Sequence, residues 1–162
     1  MPLPIIPEVK LSSMIDFSLL AFLNTYGVFV LFLSVLVYLW FIEKNKKEAM
    51  HVFLATFFAA AIIIVLKELY GLPRPFYFSA LTPKAGYFTP ASFPSLHSAV
   101  AFALATTVIF YQKKLGSFLI ITALIIGVGR IIANVHYPLD IFLGGLVGFL
   151  IAVFFKEMHF PS

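Results

Sequence analysis

GRIIANVHYPLD, residues 129–140, sets an arginine, a histidine and an aspartate between two of the most apolar segments of the chain. Residues 115–129 before it and 141–155 after it carry no charge. Each run has helical length. Arg130 closes the first, and Pro138 can open the second because a first-turn proline has no amide hydrogen to lose. The stretch therefore reads as a short connection between two membrane helices, with ionisable groups at a depth where they are costly to place and mark function. The same pattern recurs outward. Residues 17–42 are uncharged up to EKNKKE (43–48), 49–66 are apolar up to Lys67, 98–111 end at QKK, and 141–155 end at Lys156.

These runs predict an all-α membrane protein, one integral membrane domain over 1–162, with five transmembrane helices. Composition agrees. The chain is 62% hydrophobic, holds 20 Phe and is only 11% charged, with a mean hydropathy of +1.04, against about 25% charged residues in soluble domains. The net charge of +4 is explained by lysines and arginines between the apolar runs, so no nucleic acid partner is implied. There is no cysteine, which excludes disulfides, thiolate catalysis and Cys-ligated metals. MPLPIIPEVK lacks the basic start of a cleaved signal peptide. Residues 8–22 mix Glu8, Lys10, Ser12, Ser13 and Asp16 with apolar positions and are expected to form an interfacial helix.

Five spans place Lys44, Lys46, Lys47, Lys113, Lys114 and Lys156 on one face, and Lys10, Lys67, Arg74, Lys84 and Arg130 on the other. With the three cations of the candidate site set aside, the lysine-rich face is cytoplasmic and the C-terminus is inside. The site then faces the periplasm or exterior of a cytoplasmic membrane. Several charge-free cores are only about 15 residues, or roughly 22 Å of a slab of about 30 Å. Polar groups at the span ends must therefore enter the headgroup region.

Three stretches supply those groups: KELYGLPRP (67–75), SFPSLHS (92–98) and GRIIANVHYPLD (129–140). Together they offer Lys67, Arg74 and Arg130, the histidines His97 and His136, and Asp140. Three fixed positive charges suit a phosphate, which guanidinium forks match in pairs. Pro94 is expected in the first turn of the third span, leaving the amides of Ser95, Leu96 and His97 as an anion site at a helix start. His136 lies just before the fifth span and Asp140 in its first turn, so the carboxylate can hold one imidazole nitrogen and leave the other to attack. The second histidine can carry the proton a leaving oxygen needs.

Lys67, Arg74-Pro75, Pro94-Ser95-Leu96-His97, and Arg130 with His136 and Asp140 resemble, in spacing, the three-part signature of the type 2 phosphatidic acid phosphatase (PAP2) superfamily, which also includes vanadium haloperoxidases. The resemblance implies a PAP2/haloperoxidase-like helical bundle in which Lys67, Arg74, Arg130, Ser95 and the Leu96 amide bind phosphate. It implies that His136 forms a phosphohistidine positioned by Asp140, with His97 as general acid and no metal or other cofactor. Its bacterial members act on phosphatidylglycerol phosphate, undecaprenyl diphosphate, phosphatidic acid or lipid A phosphates. The expected partners are thus a membrane lipid phosphate and the bilayer, with no protein partner. Two positions depart from the family pattern: Leu96 stands where glycine is usual, and Gly129 where serine is usual.

Other readings stand beside this one. A non-catalytic lipid-binding or lipid-translocating protein would use the cations without chemistry, and a haloperoxidase is at odds with membrane embedding. His51 and His159 are expected at the opposite interface, and Glu68 as a local partner of Lys67. Gly127, Gly129, Gly144, Gly145 and Gly148 suggest close helix packing. The loop 71–93, rich in Pro, Gly and aromatics, reads as an ordered extramembrane lip.

Overall fold

Helix boundaries follow from local chemistry. In the computed structural model, which describes residues 11–78 and 89–158 with side chains from Phe22 onward, five α-helices occur in order. They are α1 (Leu11–Val37), α2 (Lys46–Tyr70), α3 (Leu96–Tyr111), α4 (Lys113–Ile132) and α5 (Pro138–Glu157). A π-helical turn, Tyr38–Ile42, extends α1, and a 3-10 turn, Pro75–Phe78, follows α2. Asn45 caps α2 by accepting the Glu48 amide at 3.1 Å. Gly71 ends α2 with φ 52°, the left-handed conformation glycine adopts without a Cβ penalty. Pro138 opens α5, and the Asp140 carboxylate accepts the Tyr137 amide at 2.9 Å. Pro94 is not in the first turn of α3: Ser95 is the N-cap, and Pro94 precedes it.

Four helical stretches are long and apolar enough to cross a membrane: Phe22–Ile42, Lys46–Tyr70, Lys113–Ile132 and Pro138–Glu157. The third expected span, α3, has 16 residues, about 24 Å. It lies among α2, α4 and α5, and His97 to Val108 are buried almost without interruption. A helix apolar and buried on nearly every side is a core helix. The protein is therefore an integral membrane helical bundle built around a short central helix. The 8–22 segment enters the described residues at Leu11, and from there α1 runs unbroken into the first span; residues 8–10 lie outside the described residues, as does His159.

Glycines let α5 approach α3. A Cβ on Gly144 would collide with the Ser95 carbonyl, and one on Gly148 with the Ala99 carbonyl, while Gly145 lies 3.0 Å from the Phe102 ring by the same measure. Gly127 packs likewise on Ile141, whose side chain would lie 2.7 Å from an added Cβ. Gly129 differs from the expectation. An added Cβ there meets only Asn24 Nδ2 at 3.5 Å, so the position is not a packing glycine and has room for a side chain.

At the lysine-rich end, His51 is buried, and hydrogen-bonds through Nδ1 to the Tyr111 hydroxyl. Next to it Glu48, fully buried, accepts from Gln112 Nε2 at 3.0 Å and Asn45 Nδ2 at 3.1 Å. This cluster ties the start of α2 to the end of α3, where polar groups withdrawn from water must find partners.

Candidate active site

Up-and-down topology brings the ends of α2 and α4 and the starts of α3 and α5 to one level. Lys67 lies in the last turn of α2 and Arg130 in the last turn of α4, where a cation is favoured by the helix dipole. The amide of Ser95, capping α3, donates to the Asp140 carbonyl at 3.0 Å, so the two helix starts are joined directly. Helix starts carry partial positive charge and unpaired amides. The starts of α3 and α5 therefore offer amides to an anion, while the ends of α2 and α4 favour the cations they carry.

Lys67, Arg74, Leu96, His97, Arg130 and His136 line one cavity of about 220 Å³, with Ile64, Glu68 and Thr89 completing its wall. The three expected stretches thus meet in space. Lys67, Arg74, His97, Arg130, His136 and Asp140 are all at most 6% exposed, an unusual concentration of ionisable groups without water.

Each cation is held by backbone carbonyls. Lys67 Nζ donates to the carbonyls of Ala91 (3.0 Å) and Ser92 (2.9 Å). Arg74 Nε and Nη2 both donate to Thr89 O at 2.9 Å, and Nη1 donates to Val135 O at 2.7 Å. Arg130 Nη1 donates to Asn24 O at 2.9 Å, and Asn24 Nδ2 returns a bond to Gly129 O at 3.0 Å. Glu68 is not the partner of Lys67. It is exposed at the cavity rim while the ammonium turns to the 91–92 backbone.

His136 Nδ1 lies 3.2 Å from Asp140 Oδ2, and Nε2 lies 3.4 Å from Arg74 Nη1. A carboxylate accepts, so Nδ1 carries the proton and Nε2 offers a lone pair toward the cavity cations. Burial holds the His136 imidazole below its ordinary value. The hydrogen bond to Asp140 opposes this, and the charges of Arg130, Arg74 and Lys67 add to it. His97 Nε2 is 2.7 Å from the Thr25 carbonyl. In the neutral ring the proton sits on Nε2, and Nδ1 is where a second proton is gained or lost. Ser95 is fully buried, and its hydroxyl oxygen accepts from Ser98 N at 3.4 Å. Its amide is engaged with Asp140, so the α3 amides directed outward by helix geometry are those of Leu96 and His97. Leu96 forms the apolar side of the cavity with Ile64.

Sequence reasoning missed Asn24 and Thr25, by which α1 holds Arg130 and His97. Asn24 was the available signal, a polar residue inside an uncharged span. Backbone acceptors such as Thr25 O and Val135 O carry no sequence signature. Of the 71–93 loop, the described ends are paired by Ser92 N to Leu72 O at 2.8 Å and by the isolated bridge Pro73–Ala91, and Thr89 reaches the cavity wall. Residues 79–88 lie outside the described residues.

Comparison with known proteins places the chain among membrane phosphatases. The bacitracin transport permease protein BcrC of Bacillus licheniformis is 31% identical over 139 residues, 82% of this chain and 66% of its own length. Undecaprenyl-diphosphatase BcrC of Bacillus subtilis is also 31% identical over 139 residues, 84% of this chain and 70% of that protein. Thus the chain spans about two thirds of the length of these relatives. Among solved structures, LpxE of Aquifex aeolicus superposes with a TM-score of 0.68 at 28% identity, covering 93% of this chain and 89% of that one. A PAP2-type phosphatidylglycerolphosphate phosphatase from Bacillus subtilis shares the fold at a TM-score of 0.67 and 19% identity, covering 92% and 77%. The family model described as the PAP2 superfamily matches residues 48–162, which hold all three motif stretches, and the chain belongs to that superfamily.

Proposed function

We propose that this membrane protein is a phosphatase that hydrolyses a lipid phosphate, with a polyprenyl diphosphate as its first candidate substrate, on the outer face of a cytoplasmic membrane. The observation that carries the reading is the His136 imidazole, fixed through Nδ1 by Asp140 and presenting Nε2 beside Arg74 inside a buried cationic cavity. A protein that only bound lipid phosphate would need the cations but not this orientation. The diphosphate preference is supported by the undecaprenyl-diphosphatase relative. Phosphatidylglycerol phosphate, phosphatidic acid and a lipid A phosphate are the competing substrates.

The residues divide the chemistry as follows. Lys67, Arg74 and Arg130, kept in place by their carbonyl partners, turn their remaining N–H donors to phosphate oxygens and hold the charge of the transition state. Because the cations are already oriented by the backbone, little reorganisation is required. His136 Nε2 attacks phosphorus. As the P–N bond forms, the P–O bond to the lipid breaks, and its oxygen takes a proton from His97. Water then attacks the phosphohistidine, gives its proton to His97 and releases phosphate, restoring His136. Asp140 stabilises the positive ring throughout. Ile64 and Leu96 give the leaving lipid an apolar exit at headgroup depth, so its chain remains in the bilayer.

Phosphate release by the purified protein from undecaprenyl diphosphate, phosphatidylglycerol phosphate, phosphatidic acid and lipid A tests the proposal. Release from at least one, fastest from the diphosphate and undiminished by chelator, is expected. A folded protein inactive on all four would return the non-catalytic binding reading.

A further inference from the structure

At the end of the bundle away from the catalytic cavity, the chain turns from α1 into α2 through Glu43, Lys44 and Asn45. Lys44 adopts φ 56°, a left-handed conformation that a side chain normally disfavours. The turn leaves Lys44, Lys46 and Lys47 exposed together. Immediately membrane-ward is an apolar cavity of about 400 Å³ between the π-helical turn and the first turns of α2, lined by Leu36, Trp40, Phe41, Met50 and Phe53 among others. Trp40, Phe41, Met50 and Phe53 are each more than 40% exposed there. Lys46 Nζ stands 5.6 Å from the centre of the Trp40 ring, a cation–π distance that keeps the charge at the mouth of the groove. The nearby carboxylates offset the lysines only in part: Glu48 is buried with Gln112 and Asn45, while Glu43, exposed and accepting the Tyr38 hydroxyl at 3.2 Å, leaves the EKNKKE turn with three cations against two carboxylates.

We infer that this groove is a binding site for an anionic phospholipid of the leaflet opposite the catalytic cavity, its headgroup on Lys44, Lys46 and Lys47 and an acyl chain along Trp40, Met50 and Phe53. The dimensions agree. From Phe41 back to Leu36 the groove descends about 8 Å of helix, the depth between headgroup and upper acyl chain, with cations above and only apolar surface below. A zwitterionic lipid would fill the groove but gain little from the lysines, each of which favours an anionic headgroup. Tryptophan at the rim is an expected interfacial anchor. The site is independent of the phosphatase reading.

Native mass spectrometry of the full chain, with phosphatidylglycerol or phosphatidylcholine added in equal amounts, tests it. Phosphatidylglycerol is expected to be retained preferentially. The Lys44→Gln/Lys46→Gln/Lys47→Gln variant should lose that preference, each lysine removed weakening retention about five-fold. Met50→Trp, which fills the groove, should lose retention itself. Equal retention of the two lipids by the unaltered protein would overturn the inference. So would a preference that survives the lysine changes, because the lipid would then be held elsewhere, including in the catalytic cavity. Neither variant touches the catalytic groups, so turnover of a lipid phosphate reports that each has folded.

Discussion

His136 concentrates what single residues contribute. Its ring is fixed by one hydrogen bond at Nδ1 and faces a guanidinium at Nε2, so His136→Ala should lower turnover by about a thousand-fold or more while leaving the fold intact. Retained turnover in a folded variant would remove it as nucleophile. Its acid–base behaviour carries a second prediction. Burial and the three cations depress the folded value while Asp140 opposes them, so the ring stays neutral through the neutral range and protonates only in acid below about pH 6.5. Nuclear magnetic resonance titration of labelled histidine should find that midpoint, moving further down in Asp140→Asn because the opposing bond is lost. A midpoint above 6.5 would contradict the assigned environment. His97 is separable from His136 by leaving group. His97→Ala should slow hydrolysis of a lipid phosphate monoester such as phosphatidic acid about a hundred-fold or more, but much less with a diphosphate or a p-nitrophenyl ester, whose leaving oxygens are weakly basic.

Among the elements, the crossing of α5 on α3 holds the site, since Ser95 and Asp140 meet where the two helix starts touch. Gly148→Ala would push a methyl group into the Ala99 carbonyl and should destabilise the protein by about 1–3 kcal/mol. Gly27 has nothing within 4 Å of an added Cβ, so Gly27→Ala should be neutral or stabilising through helix propensity. Thermal unfolding in detergent compares them, and equal shifts would contradict the packing account. Glu48 works at the other end. Glu48→Ala leaves the Gln112 and Asn45 amides without their acceptor and should cost about 1–3 kcal/mol, with Glu48→Gln closer to the unaltered protein. The glycine stripe on α5 was legible in the sequence because small residues recur on one helix face. The partners of Glu48 and His51 were not. A histidine near a lysine cluster gives no sign in the sequence that the end of α3 brings Tyr111 against it.

At the scale of the whole molecule, the sequence made the helical membrane architecture plain because charge-free runs and their basic ends obey bilayer dimensions. The convergence of Lys67, Arg74, His97, Arg130, His136 and Asp140 was also legible, since each sits at a helix end or in the short connection beside one, on one face of an up-and-down bundle. Length of span was less legible. The run 98–111 looks like the others in composition, yet α3 is a short core helix, and only its surroundings reveal that. The carbonyls that orient the cations were invisible, because any residue supplies a carbonyl and the fold alone decides where it points. The most direct test of the central claim is to trap the intermediate by rapid acid-free quenching with a lipid labelled at its terminal phosphate. A base-stable, acid-labile phosphoenzyme on the unaltered protein, absent in His136→Ala, is the predicted result. Turnover without any such species, or its persistence in His136→Ala, would contradict the account.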